Sequence, residues 1–128
     1  MFNGPLIVEI LEDGLHVKVV LDFTFTDATG RVWIAPQGLI SDGASIPRLF
    51  WTAVGSPFTG QYRRAAILHD SAYSTPGMDK SAADKMLLEA SLADGCDEAL
   101  ANIIYEGVKV GGARSFYKDQ EVVGAANA

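Results

Sequence analysis

A chain of 128 residues with 48% hydrophobic and 20% charged residues has the size and balance of one globular domain around one core, which excludes a disordered or fibrous protein. Its formal net charge of −6 and pI of about 4.7 argue against a nucleic-acid partner, which needs a basic face, and against electrostatic docking on an anionic membrane. Cys96 is the only cysteine, so no intrachain disulfide and no cysteine-based zinc cluster can form; with no signal-peptide pattern and no apolar run near the ~20 residues of a membrane span, the chain reads as soluble and made in a reducing cytoplasm.

Residues 6–11 (LIVEIL) form a short β-rich run, and Glu12-Asp13-Gly14 after it is a strong hairpin turn signal. Residues 16–25 (HVKVVLDFTF) alternate, with Val17, Val19, Leu21, Phe23 and Phe25 on the apolar side; Val20 breaks the alternation and has the position to face a second layer. Asp27-Ala28-Thr29-Gly30 is the next turn and residues 31–35 (RVWIA) the next strand, so residues 1–36 read as an antiparallel meander of three strands. His16 falls near a strand start, the place of a surface or edge histidine.

At Pro36 the pattern changes. Residues 37–60 read as loop and short helix: PQGLISDGASIP is loop, and residues 46–54 (IPRLFWTAV) are a helix that Ser45 can cap, with Pro47 in its first turn. The helical part covers residues 61–120, with helices over 61–74, 81–93 and 97–110 and a further helical turn over 113–120. Gly95 and the Gly111-Gly112 pair end two of them, and residues 121–128 are a small, apolar tail, frayed or partner-bound. Strands first and helices second mean a single α+β domain, an N-terminal three-stranded sheet followed by three to four helices.

The chemistry-bearing residues fall into three clusters: Asp42 with Ser45 in the loop, His69, Asp70 and Tyr73 in YRRAAILHDSAY, and Asp84 at the start of the next helix. On a helix, His69 and Tyr73 stack on one stripe with Asp70 at its edge. The short connection at 74–80 makes the two helices antiparallel neighbours and brings Asp84 back toward His69 or Tyr73. A carboxylate accepting from Nδ1–H of His69 would leave Nε2 as a base. Asp70 and Asp42 have the oxygens for a divalent cation, calcium or zinc. Each residue also has a plainer use. His69 can be satisfied in a packed junction, Asp84 can cap its helix in a box with Ser81, Ser45 can be only an N-cap, and Asp42-Gly43 only a turn. Tyr73 can pack its ring and bond a backbone carbonyl. Cys96 opens a helix whose dipole would lower its pKa, which makes a dyad with His69 formally available. Phe50, Trp51, Phe58 and Tyr62 either join the core or wall a cleft beside His69. No P-loop, dinucleotide fingerprint or HExxH motif occurs.

The combination SDGASIPRLFW, YRRAAILHDSAY and AADKMLLEA resembles a family of small phage and prophage proteins of unknown function, over roughly residues 23–112. More locally, His-Asp-x-x-Tyr on a helix is similar to the active-site helix of secreted phospholipase A2. That resemblance implies His69 as the base, Asp70 as a calcium ligand, Tyr73 as a supporting donor and Asp84 as the carboxylate that orients His69. The flanking cysteines and the Gly-rich calcium loop of that family are absent here.

Two functions follow as expectations. One is a phage-encoded hydrolase of host envelope material, a lipid ester or peptidoglycan, with His69 as general base. The other is a structural component of the phage particle, a tail or baseplate adaptor, in which the same residues lock helix to loop. The partners expected are other phage proteins or a host envelope component, with oligomers open, and the protein is expected to be made in the host cytoplasm, with association with the virion as the further option.

Overall fold

A computed structural model describes residues 1–42, 62–111, 116–117 and 119–121. Two small antiparallel sheets come first. One joins β1 (Phe2–Asn3), β4 (Phe23–Thr26) and β5 (Val32–Ala35) in the order β1-β4-β5. The other joins β2 (Val8–Ile10), β3 (Val17–Val19) and β6 (Ile40–Ser41) in the order β2-β3-β6. Among the described residues the helices α1 (Arg63–Tyr73), α2 (Lys80–Ala93) and α3 (Glu98–Gly111) follow, and residues 116–117 and 119–121 are helical as well. The α+β order read from the sequence therefore holds, and both hairpin turns fall where expected, with Gly14 and Gly30 at φ +69° and +89°, backbone that glycine adopts without penalty.

The single three-stranded meander is corrected to two three-stranded sheets. The run 16–25 is not one strand. It leaves one sheet after Val19 and enters the other at Phe23, because Val20 and Leu21 turn outward where the period-two pattern fails. The bend is held by the Val20 N–H on the Ile7 carbonyl at 2.9 Å and by the Asp22 carboxylate, which accepts the Gln37 N–H at 2.7 Å. Strands β1 and β6, two residues each, are too short to carry a periodic signal.

Alternation does set the inner faces. Val17, Val19, Phe23, Phe25, Trp33 and Ala35 are buried and their neighbours along each strand are not. Each such large apolar side chain contributes about 1.5–3 kcal/mol when fully withdrawn from water. Helix α1 packs on β5 and β6 with one side and on α2 with another, and α2 packs on α3. Every residue of α1 from Ala65 to Tyr73 is buried. Three of these are alanines, small enough to let neighbours close in on several sides. A helix enclosed all round is expected to be apolar all round. This one buries His69, Asp70 and Ser71 as well, and these must find partners inside.

Helix α2 starts at the cap of Asp79, whose carboxylate accepts the Ala82 N–H at 3.2 Å. It stops before Gly95, at φ +86°. Its buried Ala83, Leu87 and Ala90 and the buried stripe Ala101, Ile104 and Val108 of α3 have helical spacing.

Candidate functional site

The site is made where the last turns of α1 meet the first turns of α2, the antiparallel contact expected from the short connection. Asp84 is its centre. Its Oδ1 accepts from His69 Nε2 at 2.8 Å and from the Tyr73 hydroxyl at 2.7 Å. Its Oδ2 accepts from Lys80 Nζ at 2.6 Å, and the same ammonium donates to the Val108 carbonyl of α3 at 2.9 Å. Asp84 and Lys80 stand four apart on α2, while His69 and Tyr73 stand four apart on α1, so one turn of each helix supplies two groups. The His69 and Tyr73 rings pack with centroids 4.2 Å apart, and Phe116 meets Tyr73 edge-on at 5.0 Å.

Burial and partners set the charges. Burial pushes the Asp84 carboxyl up, but the hydrogen bonds from His69, Lys80 and Tyr73 together outweigh it and hold the group below its ordinary value. Burial, and then the Asp84 carboxylate beside it, drive the Tyr73 phenol far up, so it stays a neutral donor. An ionised carboxylate only accepts, hence the proton on the facing side of His69 sits on Nε2. His69 is 0% exposed and Asp84 2%. The His–Asp pair is therefore enclosed by protein.

Several expectations are corrected by this geometry. Asp84 does not cap α2; Asp79 does, and Asp84 lies one turn further in, facing α1. Nε2, not Nδ1, turns toward the carboxylate. The Tyr73 hydroxyl bonds Asp84 and not a main-chain carbonyl. Asp70, also buried, accepts from the Ser41 hydroxyl of β6, which ties α1 to the second sheet. Asp42, expected beside it, has its Oδ2 3.9 Å from His16 Nε2. Among the described residues no group of three or more His, Cys, Asp or Glu side chains converges. Ser45, Phe50, Trp51 and Phe58 lie outside the described residues. Cys96 is buried, and burial followed by Asp97 and Asp94 raises its thiol, opposite to the helix-dipole expectation.

Two participants were missed in the sequence. Lys80 had a signal, its position four before Asp84 on the same helix. Ser41 had none, since its link to Asp70 spans 29 residues.

An α+β domain whose central helix is pinned by a buried His–Asp–Tyr cluster and a half-buried lysine is the class that fold and site define. Residues 17–108 match the family described as "Protein of unknown function (DUF1353)". The chain belongs to that family. Among curated proteins it is 31% identical over 117 residues to the uncharacterized protein y4iH of Sinorhizobium fredii (strain NBRC 101917 / NGR234), covering 91% of this chain and 49% of that protein. It is 49% identical over 49 residues to the uncharacterized protein y4jT of the same strain, covering 38% of this chain and 15% of that one. The chain thus spans half or less of the length of these relatives. No solved structure matches it.

Proposed function

We propose that the chain is a structural component of a phage-type assembly, such as a tail or baseplate adaptor, in which His69, Asp84, Tyr73 and Lys80 lock helices together and perform no catalysis. The observation that carries this reading is the enclosure of His69, 0% exposed with Nε2 on Asp84. A general base must lie within hydrogen-bond reach of the proton it removes, and an enclosed imidazole lacks that path. Support also comes from the sheets. Val8 and Ile10 of β2, Val32 and Ile34 of β5 and Ile40 of β6 are all exposed, and among the described residues each of these strands is the edge of its sheet. Apolar edge strands recruit partners, here other phage proteins.

One observation favours a second reading, the hydrolase of lipid ester or peptidoglycan. Asp84 and Lys80 line a cavity of about 330 Å³. In that reading the carboxylate would meet the substrate first, with His69 behind it as the positioning residue.

The test is an assay of the purified chain on ester and peptidoglycan substrates beside its melting curve, with and without the His69→Ala change. The structural reading expects no turnover, and a variant that melts several degrees lower. Turnover by the parent chain, lost in the variant at an unchanged melting temperature, would establish the hydrolase. Metal analysis of the same sample, showing one bound equivalent, would bring back the calcium or zinc expectation.

A further inference from the structure

The cavity beside the cluster brings in three residues that the structural lock does not use, Ser81, Tyr105 and Lys109. It lies between α2 and α3, is lined by Lys80, Ser81, Asp84, Tyr105 and Lys109, and has a volume of about 330 Å³. That is the lower end of the range in which small-molecule sites fall. Two lysines, a serine and a tyrosine line one space in a chain whose net charge is −6.

The one carboxylate in the lining is already engaged. Asp84 accepts from His69 and Tyr73 on Oδ1 and from Lys80 on Oδ2. Lys80 gives two of its three donors to Asp84 and to the Val108 carbonyl, which fixes its ammonium in place. Lys109 is held more loosely. Its Nζ lies 3.5 Å from Glu106 Oε1, an exposed pair worth little in water, and 4.9 Å from the Tyr105 ring centroid. Lys80 is therefore held by two bonds and Lys109 by one exposed ion pair, and each is a point charge rather than a planar fork.

We infer that this cavity binds the phosphate end of a small organic phosphate, with Lys80 and Lys109 on the anion and the Ser81 and Tyr105 hydroxyls as further donors. Lysine ammonium groups suit a tetrahedral phosphate, whereas planar carboxylates are matched best by arginine. The volume leaves room for an organic group beyond the phosphate. The inference goes beyond the assembly role: the cavity shares Lys80 and Asp84 with the helix lock and adds Ser81, Tyr105 and Lys109.

The experiment is a titration of the isotope-labelled full chain, followed by amide NMR at constant ionic strength, with inorganic phosphate, glycerol phosphate and acetate in separate arms. Saturable shifts are expected at Lys80, Ser81, Tyr105 and Lys109, with glycerol phosphate tighter than inorganic phosphate and acetate weakest. Lys109→Ala, at a side chain 46% exposed, is expected to leave the fold intact and weaken phosphate at least fivefold; Ser81→Ala is expected to weaken it about threefold. Non-saturating shifts, shifts scattered over all lysines, unchanged binding in Lys109→Ala, or acetate binding as tightly as phosphate would each overturn the assignment.

Discussion

The sheet half and the helical half handle polar groups in opposite ways. In the sheet half Asp13 and Asp27 serve their own turns. Asp13 accepts the N–H groups of Leu15 and His16 two and three residues on. Asp27 binds Thr29, Arg31 and the Trp33 indole, all within six residues. These bonds hold both carboxyls down at about 2: the backbone bond from Leu15 leads at Asp13, and the hydroxyl of Thr29 leads at Asp27. In the helical half His69, Asp70, Ser71, Asp84 and Ser91 are buried, and most reach across elements. Asp84 gathers groups from α1, Asp70 ties α1 to β6, and the Ser71 hydroxyl donates to the Ile34 carbonyl of β5 at 2.6 Å. Local polar bonds define turns. Long-range buried ones decide which helix sits where, and their loss is costly because no water replaces them.

The comparison breaks most easily at Asp84. Asp84→Ala leaves His69, Tyr73 and Lys80 without their common acceptor, and urea unfolding should show a loss of about 3–5 kcal/mol; a loss below about 1 kcal/mol would mean the network is not what holds α1 to α2. Ser41→Ala strips the buried Asp70 of a donor and should cost about 1–3 kcal/mol by the same measurement. Tyr73→Phe removes one of three bonds to Asp84 and should cost about 1 kcal/mol. Ser91→Ala should go the other way. The Ser91 hydroxyl is buried and has no hydrogen-bond partner, so its removal should be neutral or stabilising by up to about 1 kcal/mol.

Acid sharpens the same contrast. A carboxyl whose folded pKa is depressed contributes stability that is fully present above its unfolded value, about 3.9 for Asp, and is lost as pH falls through the folded value. Asp84 is such a group. The parent chain should therefore lose stability below about pH 4, and Asp84→Asn should be weaker at neutral pH yet fall less steeply below that point. Asp13 and Asp27 titrate in the same direction, so the variant keeps part of the acid limb. Parallel acid limbs in the two chains would show that Asp84 is not specially stabilised in the folded state.

Much of the architecture was legible in the chain itself, and the reason is locality. Asp13-Gly14 and the turn ending at Gly30 mark hairpins because their bonds close within a few residues. The helices announce themselves by apolar spacing and by Gly95, and even the switch between sheets leaves a trace at Val20. The meeting of His69 and Tyr73 with Asp84 was inferable too, since a short connection forces antiparallel contact. What the sequence could not decide was the sense of that contact: Asp79 instead of Ser81 at the cap, Nε2 instead of Nδ1 toward the carboxylate, and an imidazole shut away from water. These depend on how deeply α1 is enclosed by β5, β6 and α2, and enclosure is a property of contacts between distant segments. Residue types and spacing determined which groups would meet; only three-dimensional packing determined whether water, and with it a substrate, could meet them as well.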